Sequence, residues 1–164
     1  MGQLEEKFGW AGKKGEEGEE FALNLWSNLG YDVIDYRQDI AKQKLGIDYA
    51  IKKLHPKPWY RHYTIDNKNN LRHYKGTYTI PIEFKKGRWN RPGWLYTSQA
   101  DRISHTHVQN KKMVYYDLKD MRKLLLPLVR KGDIKPIKAR SKCEMIYIDL
   151  KDERFKELIR EING

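Results

Sequence analysis

The feature that most restricts the fold is a change of hydrophobic period at Gly30. Before it, Phe21, Ala22, Leu25, Trp26 and Leu29 recur at helical spacing, which predicts a helix with one apolar stripe over 15–29. Gly30 ends that helix. After it, short runs alternate apolar and polar residues, the period of a strand with one buried face. The first run is 31–36. The second is 46–54, with Ile47, Tyr49 and Ile51 on one face and Asp48 and Ala50 on the other. His55-Pro56-Lys57-Pro58 predicts a turn, because two prolines forbid regular pairing. The third run is 59–68, a polar loop spans 69–76, and the fourth run is 77–85. Pro81 marks this fourth strand as an edge or a bulge.

Residues 94–103 predict a short helix or irregular turn leading into a strand. Two later segments, VYYDLKDMRKLL at 114–125 and IYIDLKDERFKEL at 146–158, share Tyr-x-Asp-Leu-Lys-Asp-x-Arg. Each predicts a strand followed by a helix, capped by Asp117 or Asp149. The order predicts an α/β fold: a central mixed β-sheet of about four to six strands flanked by helices. The whole chain, 1–164, reads as one domain, with the Gly- and charge-rich residues 1–14 expected to be loose.

Lys and Arg number 33 against 22 Asp and Glu, a net charge of +11. That excess makes a polyanion the expected partner, nucleic acid ahead of an anionic membrane. No run approaches the ~20 apolar residues needed to span a bilayer. The opening MGQLEEKFGW lacks the apolar core of a secretion signal, and Glu6 breaks the myristoylation pattern. The single cysteine, Cys143, excludes an internal disulfide and fits a reducing, cytoplasmic setting. Its place before an apolar strand predicts a small buried residue.

The chemistry gathers at Asp66-Asn67-Lys68. Acid and lysine two apart on a strand share a face, here with His62 and Thr64. The plain reading is a surface ion pair worth ~0–1 kcal/mol. The other reading is phosphodiester hydrolysis. That reaction needs charge neutralisation at the phosphate and a water made nucleophilic, both of which Mg²⁺ supplies. Mg²⁺ takes oxygen ligands, so two or three carboxylates suffice. Pairing of the second and third strands would bring Asp48 beside Asp66. A third carboxylate can come from Glu16, Glu17, Glu19 or Glu20, of which Glu19 is best placed. Ile82-Glu83-Phe84-Lys85 offers a rival acid-x-lysine, or Glu83 serves as an additional metal ligand. Gln99 is a candidate polar support.

His105 and His107 share a strand face, but no matching Cys or His pair completes a zinc site. His62 or His73 could act as a general base without being required. The basic aromatic segment with Lys85, Lys86, Arg88, Trp89, Arg91 and Trp94 is the candidate nucleic-acid contact. Arginines there would pair phosphates and indoles would stack on bases. The plain alternative has the tryptophans capping the core and the arginines facing water.

An acid, then a strand carrying acid-x-lysine, resembles the PD-(D/E)XK nuclease superfamily. The opening GEEGEEFALNLWSNLGY resembles the first helix of archaeal Holliday junction resolvases, where a glutamate precedes an amphipathic helix ending in Gly-aromatic. Counting back from Gly30-Tyr31 puts that glutamate at Glu19. The block GWLYTSQADRI with MVYYDLKDMRKLL is similar to uncharacterised phage and bacterial nucleases of this superfamily. Ile47 stands where the family often has proline. The resemblance implies a restriction-endonuclease-like fold and a Mg²⁺-dependent DNA endonuclease, with Mn²⁺ able to substitute. Asp48 and Asp66 would hold the metal, Glu19 would complete its shell, and Lys68 would activate the water. It also implies 5′-phosphate and 3′-hydroxyl ends, branched DNA as one substrate, and a homodimer. A non-catalytic basic nucleic-acid-binding module and an RNase on the same scaffold are the alternatives.

Overall fold

A computed structural model describes residues 2–53 and 62–164, with side chains from Lys13 onward in the first stretch. The expected turn at His55–Pro58 lies outside the described residues. Helix α1 (Gly2–Asn28) runs back through the opening segment that was expected to be loose. Strands β1 (Tyr31–Asp35), β2 (Tyr49–Lys53) and β3 (His62–Lys68) pair as an antiparallel meander, Tyr49 opposite Ile65. The short helix α2 (Ile40–Lys44) joins β1 to β2, capped by the Asp39 carboxylate, which accepts from the Lys42 N–H at 3.0 Å.

The next strand to join this sheet is not the fourth period-two run. After β3 the chain leaves to build a second, antiparallel sheet. Its members are β4 (Arg72–Tyr74), β5 (Thr77–Lys86), the two-residue β6 (Arg91–Pro92), and the later β9 (Ile137–Lys138) and β10 (Glu144–Asp149), in order β4-β5-β10-β9 with β6 also on β5. Short helix α3 (Trp94–Thr97) then leads to β7 (Arg102–His107), which returns to pair parallel with β3. A parallel pair needs such a long crossover. Strands β8 (Lys112–Asp117) and β11 (Arg160–Asn163) complete a mixed, curled six-stranded sheet, order β1-β2-β3-β7-β8-β11.

The fold is thus α/β with two sheets where one flanked by helices was expected. Pro81 sits where the flank of β5 away from β10 lacks a strand partner, between β4, which reaches Thr79, and β6, which starts at Lys85. That satisfies the missing N–H. The polar loop expected at 69–76 contains β4.

Alternation sorts the core into two layers. Tyr49, Ile51, Ile65 and Met113 face α1 and pack on Ala22, Leu25 and Trp26. Ile103, Val114 and Tyr116 on the opposite face pack on Ile80, Ile82, Ile146 and Ile148 of the second sheet and on Met121 and Leu125. The last two belong to α4 (Leu118–Arg130). The two echoing segments diverge. The first gives β8 and α4, but Asp117 turns its carboxylate to Arg102 Nε at 2.9 Å and does not cap with it. The second gives β10 and only a 3₁₀ turn at Glu153–Phe155, capped by Asp152. Cys143 is half-buried, not fully buried.

Candidate active site

The β2–β3 pairing sets Asp48 and Asp66 side by side. Asp48 immediately precedes β2, and its own N–H donates to Ile65 O at 2.9 Å. Its carboxylate is held from two sides: the Asn67 backbone N–H donates to Oδ2 at 2.7 Å, and Gln43 Nε2 donates to Oδ1 at 3.3 Å. Gln43 comes from α2 and also donates to Ile47 O at 2.9 Å, so the small helix fixes the turn into β2.

Asp66 is only 2% exposed. Lys68 Nζ meets its Oδ1 at 2.8 Å, while Oδ2 is buried with no hydrogen-bond partner among the described residues. A buried acceptor left open in this way costs free energy unless something occupies it. Burial pushes Asp66 up to about 6; the Lys68 ammonium opposes this, the Asp48 charge adds to it, and the Ser98 hydroxyl, near the carboxylate but outside hydrogen-bond geometry with Oδ2, opposes it weakly. Gly46 and Ser98 border Oδ2. A Cβ on Gly46, whose φ is +72°, would stand 3.3 Å from Oδ2 and 3.1 Å from Ser98 Oγ. Glycine therefore serves both the left-handed backbone and the open space at the carboxylate. The Lys68 ammonium also lies 5.5 Å from the centre of the Trp94 ring, a cation–π contact that steadies it.

Glu19 reaches the same end of the sheet from α1. Burial and then the Asp48 charge raise it to about 7, against the pull of Arg37. Arg37 was not foreseen. Its guanidinium meets Asp35 Oδ2 at 2.6 Å, Glu20 Oε2 at 3.1 Å and Glu19 Oε2 at 4.0 Å. The available signal was Asp35-x-Arg37, acid and base two apart at a strand end. A Cβ on Gly18 would lie 2.3 Å from Asn69 Cβ, so only glycine lets α1 come this close to the end of β3.

A buried hydrogen-bond chain backs the site. Trp26 Nε1 donates to Tyr49 OH at 3.0 Å, Tyr49 OH lies 3.1 Å from Ser104 Oγ, and Ser104 Oγ donates to Asn67 Oδ1 at 2.6 Å. The middle residue of Asp-Asn-Lys is therefore fixed by its side chain while its backbone serves Asp48.

The other candidates fall elsewhere. Glu83 lies on the second sheet and accepts the Trp94 N–H at 3.2 Å, capping α3, and Lys85 pairs with Glu144 at 3.6 Å. The rival acid-x-lysine therefore does not share the sheet of Asp48. Gln99 is exposed; its backbone bonds Leu45 O, and the neighbour Ser98 is the residue beside Asp66. Trp94 is turned against the core, whereas Trp89 is 79% exposed and Lys86, Arg88 and Arg91 face solvent. His105 is buried and satisfied, Nδ1 by Asn70 Oδ1 at 2.6 Å and Nε2 by Tyr116 OH at 2.8 Å. Burial lowers it to about 3, a neutral structural imidazole.

The donor set suits Mg²⁺ in a limited sense. Mg²⁺ is commonly held by one or two carboxylates and keeps several waters. Asp48 and Asp66 supply that pair, and Asp66 Oδ2 is an open acceptor. No group of three or more His, Cys, Asp or Glu side chains among the described residues is close enough to hold a metal together. No helix among the described residues is long and apolar enough to cross a membrane. No protein family, curated protein or solved structure matches the chain.

Proposed function

We propose that this chain is a Mg²⁺-dependent nuclease of the PD-(D/E)XK type that cuts DNA. The observation that carries the reading is Asp66: a buried carboxylate with one oxygen open, beside Asp48 and paired to Lys68. A helix, three antiparallel strands and a parallel fourth partner also support it, because that order puts the acid, the acid-x-lysine and the helix glutamate at one sheet end. Bound Mg²⁺ would neutralise charge at the phosphate and lower the pKa of a coordinated water. Asp48 and Asp66 would hold it, with Asp48 preset by the Asn67 N–H and Gln43. Glu19 would act through a water, with Arg37 opposing the rise that burial and Asp48 impose on it. Lys68 would orient the attacking water and stabilise the developing negative charge.

The test is a panel of supercoiled DNA, branched DNA and RNA with Mg²⁺, Mn²⁺ or EDTA. Asp66→Ala and Lys68→Ala should each lower cleavage at least about a thousandfold. EDTA should abolish it. The second reading, a non-catalytic nucleic-acid-binding module, draws on the absence of a three-ligand group among the described residues and on Lys68 already neutralising Asp66. Binding without hydrolysis of any substrate in either metal would establish that reading instead. Preference for RNA in the panel would assign an RNase.

A further inference from the structure

Helix α1 divides the carboxylate end of the main sheet into two clefts of opposite character. One, about 570 Å³, is lined by Glu16, Glu19, Glu20 and Asp35, with Arg37 and Gln43, and leads to Asp48. The other, about 560 Å³, opens on the far side of the Gly18–Asn69 contact. It lies at the same end of the sheet, because Asn69 and Asn70 follow β3 and Thr106 and His107 end β7, the parallel partner of β3. Its walls carry donors, Lys14, His73, His107, Asn69 and Gln109, and Arg72 stands on the β4 rim. Glu17 is the one carboxylate among its lining residues.

We propose that this second cleft and its β4 rim receive an unpaired stretch of the nucleic-acid strand next to the candidate carboxylates, Lys14 and His73 meeting it on the cleft side and Arg72 and Tyr74 on the outer side of the rim, the cations on phosphates and the rings against bases. The proposal rests on the nuclease reading for its orientation but not for its chemistry. Single-stranded nucleic acid is bound by cationic grooves studded with rings. Tyr74 is 72% exposed, and the His73 ring stands 6.2 Å from that of His107. The Asn110 N–H donates to His107 Nδ1 at 3.2 Å, so the neutral imidazole carries its proton on Nε2 and offers a donor. Burial first, and then the His73 and Lys14 charges, lower the basicity of His107. Alternation along β4 turns His73 to the cleft side, its ring 4.6 Å from that of Tyr78, and turns Arg72 and Tyr74 to the outer side, where the Tyr147 ring at 4.9 Å orders the Arg72 fork, so a bound strand would cross the β4 rim. Strand β4 ends its sheet, leaving one backbone edge of Arg72–Tyr74 without a strand partner. A cleft of this volume suits a ligand of drug-like size, one or two nucleotides and not a duplex.

The experiment measures fluorescence anisotropy of a short labelled oligodeoxythymidine in EDTA, where cleavage plays no part. Wild type is compared with Arg72→Ala/Tyr74→Ala, and thermal melting checks that each is folded. The double variant should bind the single strand at least about tenfold more weakly, since a lost stack and a lost phosphate contact are each worth ~1 kcal/mol or more. Affinity for blunt duplex should change less. If the double variant melts early, His73→Gln, a polar exchange at an exposed position, takes its place with the same expectation. Wild-type affinity in the folded variants overturns the cleft assignment and leaves the nuclease reading intact if the wild type still cleaves. Lost binding in the variant, with no hydrolysis by wild type in Mg²⁺ or Mn²⁺, sustains the cleft and removes the nuclease.

Discussion

The two clefts beside α1 share a helix and a sheet end, yet one collects acids and the other collects donors. On the acidic side, four glutamates of the opening helix and Asp35 line the cleft, Glu19, Glu20 and Asp35 meet the Arg37 guanidinium, and Gln43 joins the cleft to Asp48. On the donor side, a lysine and two imidazoles face a single acid, with an arginine on the rim strand. The lesson is that a net charge of +11 says little about a site. The positive excess is spread over the surface, while the proposed chemistry would rest on local reversal of sign. An acidic pocket attracts a cation and a basic cleft attracts the polyanion, so their adjacency is what metal-assisted phosphodiester cleavage requires.

The strongest way to break the comparison is at the divider. Gly18→Ala would put a methyl 2.3 Å from Asn69 Cβ. The helix must move away, costing about 1–3 kcal/mol of stability as other overpacked contacts do. Both properties should fall together: oligonucleotide binding in EDTA and cleavage in Mg²⁺. If Gly18→Ala melts several degrees lower but leaves both functions at wild-type levels, α1 does not set the geometry of either cleft.

A pH series sharpens the acidic side. Asp66 and Glu19 have folded pKa values of about 6 and about 7, above their ordinary 3.8 and 4.5. Each protonates more readily folded than unfolded, so each adds stability below its unfolded pKa that is lost as pH rises through the folded value. The metal-free protein should therefore lose on the order of 1–3 kcal/mol between about pH 4 and pH 7 from these groups. Chemical denaturation in EDTA reads this directly, and Asp66→Asn should flatten the slope. Mg²⁺ competes with those protons, so it should raise the melting temperature more at pH 8 than at pH 5.5. An equal rise at both would mean that it binds elsewhere.

How much of this was legible follows from what sequence periodicity can encode. Asp48, Asp66 and Lys68 were readable because pairing of consecutive strands is local and alternation fixes the faces. The choice between Asp66/Lys68 and Glu83/Lys85 was not, because both strands alternate well. Only the departure of β5 into a second sheet separates them, and that depends on the distant β10 as its partner. Ser98, next to the candidate Gln99, is the residue that borders Asp66, a difference the sequence could not resolve because a helix end gives no period from which to read direction. The echoing segments make the same point. Met121, Leu124, Leu125 and Leu128 form the apolar stripe of α4, and Phe155, Leu158, Ile159 and Ile162 repeat the same spacing, so periodicity alone did not separate a helix from a 3₁₀ turn and a strand. Ile162 instead joins the core under α1 as part of a strand.

Arg37→Ala tests the acidic side without disturbing the fold, since the guanidinium is partly exposed and its partners are carboxylates that water can solvate. Glu19 would lose the cation that offsets Asp48, and the metal dependence should move to roughly tenfold higher Mg²⁺, the usual scale for a group that supports metal ligands. Oligonucleotide binding in EDTA should stay within about twofold, because Arg37 opens on the other cleft. Arg37→Lys should recover part of the Mg²⁺ response. A loss of single-strand affinity equal to that of the cleft variant would erase the distinction between the two sides.

The smallest effect is expected from the segment that the sequence favoured as the nucleic-acid contact. Arg88 and Trp89 are exposed, and Trp89 is 79% accessible on a turn at the end of β5. The double variant Arg88→Ala/Trp89→Ala should change stability by no more than about 0.5 kcal/mol. If this loop touches only the phosphates of a flanking duplex, the slope of log affinity against log salt should fall by about one, and uniformly across sequences. Single-strand affinity in EDTA should barely move, because a solvent-facing indole away from the cleft has no base to stack on. A larger loss of single-strand binding here than from Arg72→Ala/Tyr74→Ala would transfer the strand to the loop. The donor-lined cleft would then lie outside the path of the substrate, and the acidic mouth would have to meet the scissile phosphate from the side of Trp94.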